Sequence, residues 1–218
     1  MALYFPRSHA TYIHIPRTGG TMMRVWAERH VPDFTESATN RHWKLNQPRS
    51  NNPDLGRIFT IVRNPYARLV SQFHWIGQNA QKRIAQKSER YTEQSILDDI
   101  REVKSYEQGF DRYIRKLYNK DYKEIWFDKW RYETDWTRGD TQASWLSGEK
   151  IDCIIKLENI NQQFHIIQNL LDCHEPFIDA LNPSKHDHYS TYYTPDTRDM
   201  AAAMFRDDFE LFGYSYDL

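Results

Sequence analysis

The sequence predicts an α/β domain in three layers, with a central, mainly parallel β-sheet flanked by helices. Three observations carry that prediction. Short β-rich runs alternate with stretches of helical pattern along the chain. Glycine and proline turns separate them. Aromatic residues make up 15% of the 218 residues and offset an apolar content of only 39%, since each buried ring removes ~150–250 Å² from water. Disordered chains are poor in aromatics, so this one is expected to fold. The length fits one domain over residues 1–218.

The first β-rich run is residues 11–15 (TYIHI). Pro16 breaks it, and Arg17, Thr18, Gly19, Gly20 and Thr21 follow. Residues 22–30 have helix-forming composition, which completes a strand, a glycine turn and a helix. Residues 48–56 (PRSNNPDLG) read as a surface loop. The run at 57–62 (RIFTIV) predicts a buried strand. Asn64 and Pro65 then supply an N-cap and a first-turn proline for a helix reaching about Gly77. On that helix Leu69, Val70, Phe73 and Ile76 share one arc, the core face, and Ser71 sits nearly opposite.

Residues 79–95 are polar and predict a solvated insertion or an exposed helix. Helical patterning resumes over 95–122, ahead of an aromatic stretch holding Trp126, Trp130, Tyr132 and Trp136. That stretch is expected to pack, with stacking on a sugar or an aromatic ligand as the alternative. Residues 152–156 (DCIIK) predict a third strand, and 160–171 an amphipathic helix. Thr194-Pro195-Asp196 marks a further helix start, with the helix running through Met204 and Phe205.

Charge is divided unevenly. The chain has 29 Lys and Arg against 30 Asp and Glu, yet residues 1–90 hold 14 basic and 5 acidic residues, and residues 91–218 hold 15 and 25. This excludes a uniformly basic nucleic-acid coat and an acidic tail, and it leaves room for a local cationic site in the first part. Cys153 and Cys173 fit neither a disulfide framework nor a metal-ligand spacing, so a reducing compartment is expected. No apolar run reaches the length of a signal-peptide core or a membrane span. A cytoplasmic protein without membrane or nucleic-acid partners is expected.

Two motifs carry the functional reading. In IPRTGGT, Gly19 and Gly20 allow close approach to backbone N–H groups at a helix start, Thr18 and Thr21 add hydroxyls, and Arg17 adds a permanent charge. That is a phosphate- or sulfate-binding arrangement. It differs from the G-x-x-x-x-G-K-[S/T] NTPase loop. In VRNPYARLVS, Arg63 leaves the end of a strand and Ser71 lies two turns into the next helix, a planar charged fork and a neutral donor suited to a second phosphate.

Together the motifs resemble those of family 2 of the sulfotransferases, the heparan and chondroitin carbohydrate type. IPRTGGT resembles that family's IPKTGGT, and residues 62–71 resemble its VRNPxxRLxS. Residues 192–196 and 208–214 also resemble the family's C-terminal end, and the resemblance is weakest over residues 79–140, which implies a variable, mostly helical part on the acceptor side. The resemblance implies a P-loop-like fold and transfer of a sulfuryl group from 3′-phosphoadenosine 5′-phosphosulfate (PAPS) to an acceptor hydroxyl of a carbohydrate, without a metal. It implies that Arg17, Thr18, Gly19, Gly20, Thr21 and Met22 bind the 5′-phosphosulfate, and Arg63 and Ser71 the 3′-phosphate. Arg17 stands where the family carries Lys. A guanidinium does not donate its proton at neutral pH, so its expected role is electrostatic stabilisation of the leaving nucleotide.

The acceptor hydroxyl also needs a general base. His42, between the two motifs, is the first choice; His14 on the first strand reads as a buried hydrogen-bonded side chain, His74 could reach solvent or ligand, and a carboxylate such as Glu36 is the alternative. His186 and His188 have the spacing of a metal pair but read as a polar loop. Lys44 and Lys185 are candidate cofactor contacts, Arg68 is a candidate structural ion pair, and Glu158 reads as structural. A P-loop-like kinase and a nucleotide- or glycan-binding module without turnover are the alternatives.

Overall fold

The computed structural model describes residues 2–36, 44–45, 54–86, 100, 103–104, 106–120, 139–177 and 186–218. The strands are β1 (Ala2–Phe5), β2 (Ala10–Ile13), β3 (Thr35–Glu36), β4 (Arg57–Val62) and β5 (Cys153–Lys156). The helices are α1 (Gly20–His30), α2 (Pro65–Gln86), α3 (Phe110–Tyr118), α4 (Gln142–Leu146), α5 (Ile160–Leu171), α6 (Pro195–Met204) and α7 (Arg206–Phe212). The chain divides into two compact units. The first is drawn from Met1–Asn64 and Asp140–Pro183, the second from Pro65–Asp128, Thr137–Gly139 and Ser184–Leu218.

The first unit is a five-stranded sheet with order β3-β1-β2-β4-β5. The three strands expected from the sequence, β2, β4 and β5, run parallel. Two further strands, β1 and β3, extend the sheet antiparallel, so the sheet as a whole is mixed. The antiparallel pair follows from a short connection. Only Pro6 to His9 separates β1 from β2, the His9 N–H donates to the Pro6 carbonyl at 3.1 Å, and such a tight turn reverses the strand. β3 is two exposed residues at the edge, a short edge of the kind that resists pairing with other chains.

Strand residues alternate between the two faces. Leu3, Phe5, Tyr12, Phe59, Ile61 and Ile155 meet Met22, Met23, Trp26 and Ala27 of α1 and Ile160, Phe164, Ile167 and Leu171 of α5 in one cluster. Trp26 and Phe164 pack edge to face with centroids 5.0 Å apart. On the opposite face Thr11, Ile13, Ile58, Thr60 and Val62 are buried as well. This is why apolar residues of RIFTIV point to both faces rather than alternating with polar ones. β2 stops at Ile13, two residues before the predicted end, because Pro16 has no N–H to continue a ladder and the Ile15 carbonyl is taken by the Thr18 hydroxyl at 2.9 Å.

The second unit is helical. Tyr66, Leu69, Val70 and Phe73 of α2 pack with Phe110, Tyr113, Ile114 and Leu117 of α3 and with Ala201, Phe205 and Phe209. α2 departs from expectation in two ways. It runs on to Gln86, and its first turns are buried all round, with Arg68 and Ser71 at 2% and 1% exposure. Gly77 lies inside the helix, where the Tyr106 ring occupies the space a side chain would need. α6 starts where predicted, with Pro195 in its first turn and a reciprocal Thr194–Thr197 capping box.

Candidate active site

The parallel strands deliver three turns to one edge of the sheet. Ile13 pairs with Thr60 and Val62 with Lys156, so the turns beginning at His14, Arg63 and Leu157 lie side by side beyond the strand ends. In open α/β sheets this is where ligands bind.

The first turn is built to expose backbone. Gly19 precedes α1 with φ +93°, in the left-handed region that glycine adopts without cost. Its cap carries no side-chain hydrogen bond to the helix, and the first intrahelical bond runs from the Met23 N–H to the Gly19 carbonyl at 3.2 Å. The N–H groups of Gly20, Thr21 and Met22 therefore precede the intrahelical ladder at the positive end of α1. A methyl at Gly20 would overlap the His14 imidazole, so no other residue fits there. His14 is half-buried and stacks on Tyr12, centroids 6.2 Å apart.

Thr18 is fully buried, and its hydroxyl donates to the Ile15 carbonyl, closing the turn. It can thus serve an anion through its N–H rather than by donating its O–H. Thr21 is exposed on the first turn of α1, whereas the Met22 side chain belongs to the core, leaving its N–H as its contribution.

Arg17 sits in this turn with φ +69°, a conformation that costs a non-glycine residue free energy and that is concentrated at functional sites. Arg63 comes from the second turn. Its Nη1 donates toward the Arg17 carbonyl at 3.5 Å. Burial, and then the charge of Arg63, lower the Arg17 guanidinium to about 10. Arg17 is still charged at neutral pH, and two half-buried like charges beside open N–H groups are an arrangement an anion would stabilise.

The second turn is held from a distance. Gln142, fully buried at the start of α4, accepts from the Arg63 N–H at 2.9 Å and donates to the Arg63 carbonyl at 2.8 Å. Glu158 Oε1 accepts from the Asn64 N–H at 2.8 Å, which gives the structural Glu158 a specific partner. Gln142 escaped the sequence reading. The Thr141 cap at its helix start, accepting from the Ser144 N–H at 3.1 Å, was a readable signal, but nothing local marks a glutamine as a backbone partner.

The other candidates divide. Lys44 is 2.9 Å from Asp140 and lies over the Trp145 ring at 5.8 Å, so its charge is engaged within the protein and not on an open surface. Glu36 faces Arg24 at 3.8 Å on β3, the strand farthest from β5 in the sheet. His42, Lys185 and residues 126–136 lie outside the described residues.

In the second unit, Ser71 and Arg68 are buried on α2 and so are not solvated side chains. His74 is also buried rather than turned to solvent. Its Nδ1 is 3.0 Å from the Tyr106 hydroxyl, and its ring stacks on His186 at 5.1 Å. Burial, then His186, hold the His74 imidazole below its ordinary value, with Asp187 opposing. His188 turns instead to the Ser190 hydroxyl at 2.8 Å. Among the described residues no group of three or more His, Cys, Asp or Glu side chains could hold a metal, and no helix is long and apolar enough to cross a membrane.

A family model described as the sulfotransferase family matches residues 2–215. The chain belongs to the sulfotransferase family. No curated protein and no solved structure matches it. Its mixed five-stranded sheet flanked by helices is consistent with the P-loop-like fold of the sulfotransferases, and both motifs fall within the matched residues.

Proposed function

We propose that the chain transfers a sulfuryl group from PAPS to an acceptor hydroxyl, of a carbohydrate by the family resemblance. The observation that carries this reading is the Arg17–Arg63 pair beside the open N–H groups of Gly20, Thr21 and Met22. The donor supplies an activated sulfuryl group whose leaving nucleotide carries two phosphates, roughly four negative charges. Two guanidiniums and a helix N-terminus suit such a species, and a glycine turn with no room for a Cβ at Gly20 suits close approach of a phosphosulfate.

In the proposed reaction the acceptor oxygen forms a bond to sulfur as the bond from sulfur to the 5′-phosphate oxygen breaks. The electron pair leaves with the 3′,5′-bisphosphate. Arg17, charged at neutral pH, stabilises that leaving group together with the backbone of residues 18–22. His42 is assigned the acceptor proton. Arg63 and Ser71 are assigned to the 3′-phosphate by the family correspondence alone. The extent of the match supports treating residues 1–218 as one catalytic domain.

Titration calorimetry tests the reading. Binding of 3′,5′-bisphosphoadenosine without Mg²⁺, tighter than that of ATP, is the expected result. Preference for ATP with Mg²⁺ would overturn it in favour of a kinase. With labelled PAPS and a panel of carbohydrate acceptors, His42→Ala is expected to lower turnover and leave nucleotide affinity unchanged.

A further inference from the structure

β4 ends at Val62, whose partner Lys156 is the last residue of β5. Arg63 is thus one residue beyond the ladder, where its N–H and carbonyl would lose the pairing that fixed the residues before it. Gln142 replaces that pairing from a side chain. Its Oε1 accepts from the Arg63 N–H and its Nε2 donates to the Arg63 carbonyl, at 2.9 and 2.8 Å. Only one orientation of the amide satisfies both groups.

We propose that Gln142 is a positioning residue for Arg63. It sets the direction in which the guanidinium leaves the sheet edge, and so the affinity for the 3′-phosphate of the nucleotide. This rests on the assignment of Arg63 to that phosphate made above. Hydrogen bonds on both sides of one residue fix the two peptide planes that flank it, and hence its Cα–Cβ direction. An arginine side chain loses rotamer freedom when it binds, and a backbone already aimed at the ligand reduces what remains to be ordered.

The mount that carries Gln142 is itself constrained. Thr141 caps α4, Trp145 is fully buried, and the Leu45 N–H donates to the Trp145 carbonyl at 3.0 Å. The bond from Glu158 to the Asn64 N–H holds the next peptide in the same way. The guanidinium so aimed reaches toward the Arg17 carbonyl at 3.5 Å.

The test compares two nucleotides on the full chain by calorimetry, 3′,5′-bisphosphoadenosine and adenosine 5′-monophosphate, which differ by the 3′-phosphate. Gln142→Met keeps the length of the side chain and removes both hydrogen bonds. It is expected to weaken the bisphosphate about tenfold, a coupling within the range for groups in one network, and to leave the monophosphate unchanged. In an Arg63→Ala background it is expected to add nothing. Equal losses for both nucleotides, no loss, or full additivity with Arg63→Ala would overturn the proposal.

Should Gln142→Met fail to fold, Gln142→Glu decides in its place. It keeps the acceptor, loses the donor, and is expected to narrow the preference for the bisphosphate; an unchanged preference overturns the proposal. If the unmodified chain binds both nucleotides equally, the assignment of Arg63 falls and this inference with it. If the unmodified chain discriminates and the Gln142 variants discriminate as well as it does, this inference falls alone.

Discussion

The two turns that lie side by side beyond the ends of β2 and β4 are built by opposite means. The turn after β2 is held by its own neighbours: Thr18 closes onto Ile15 three residues away, Gly19 takes the left-handed conformation, and Gly20 leaves room for His14. The turn after β4 is held by residues 79 and 94 positions away, Gln142 and Glu158. A turn of the first kind is a sequence motif. A turn of the second kind carries a motif whose geometry is decided elsewhere. Each can therefore be broken separately.

The largest effect is expected at the self-contained turn. Gly20→Ala places a methyl in the His14 ring, which has Tyr12 behind it. A destabilisation of about 2–3 kcal/mol, at the upper end for overpacking, is expected by denaturant titration, with loss of nucleotide binding.

Next comes the charge pair. Arg17→Met is expected to weaken the bisphosphonucleotide by roughly 10–100-fold, the scale of lost charge-assisted hydrogen bonds. The free protein should melt at a higher temperature, since the variant removes a guanidinium disfavoured by burial and by Arg63. The sign follows from linkage. The folded-state value of Arg17 is lowered to about 10, so its charged form costs stability at neutral pH, and that cost fades as pH rises through 10. Nucleotide affinity should fall over the same range, and calorimetry at stepped pH would show it. A fall beginning near neutrality would contradict the assignment.

At the turn held from a distance, Glu158→Ala should cost about 1–2 kcal/mol by stranding the Asn64 N–H, and Glu158→Gln, which keeps an acceptor, should cost much less. Equal losses would mean that the carboxylate charge, and not the hydrogen bond, matters. The smallest effect is expected from Thr18→Val, about 1 kcal/mol, because it frees the Ile15 carbonyl of one bond in a turn with other supports.

The contrast also explains what could be read from the sequence. The three parallel strands, α1, α5 and the start of α6 were legible because each is a local pattern: a β-rich run, an amphipathic period, a Thr-Pro start. β1 and β3 were not: β3 is only two residues long, and β1 lacks the glycine turn and helix that set off β2. In the sequence the far end of α2 stays open between a solvated insertion and an exposed helix, because its polar composition alone does not separate the two.

Arg17, Gly19, Gly20 and Arg63, which the structure places beyond the ends of β2 and β4, stand in short motifs of the sequence. Ser71 was placed on a free face of α2 because amphipathic arithmetic assumes one buried stripe, and this helix is buried on several sides over its first turns. Gln142 carried no signal of its own. A glutamine becomes a backbone partner only after the chain has returned to the sheet.

The long spans of those two contacts also bear on how the molecule forms. The turn after β2 can close as soon as its own residues meet, on the timescale of a short loop. Arg63 and Asn64 must wait until β5 and α4 have been brought in from nearly a hundred residues away, after a slower and entropically costlier search. The capacity to bind the nucleotide should thus be among the last properties recovered on refolding, well after helix content has returned.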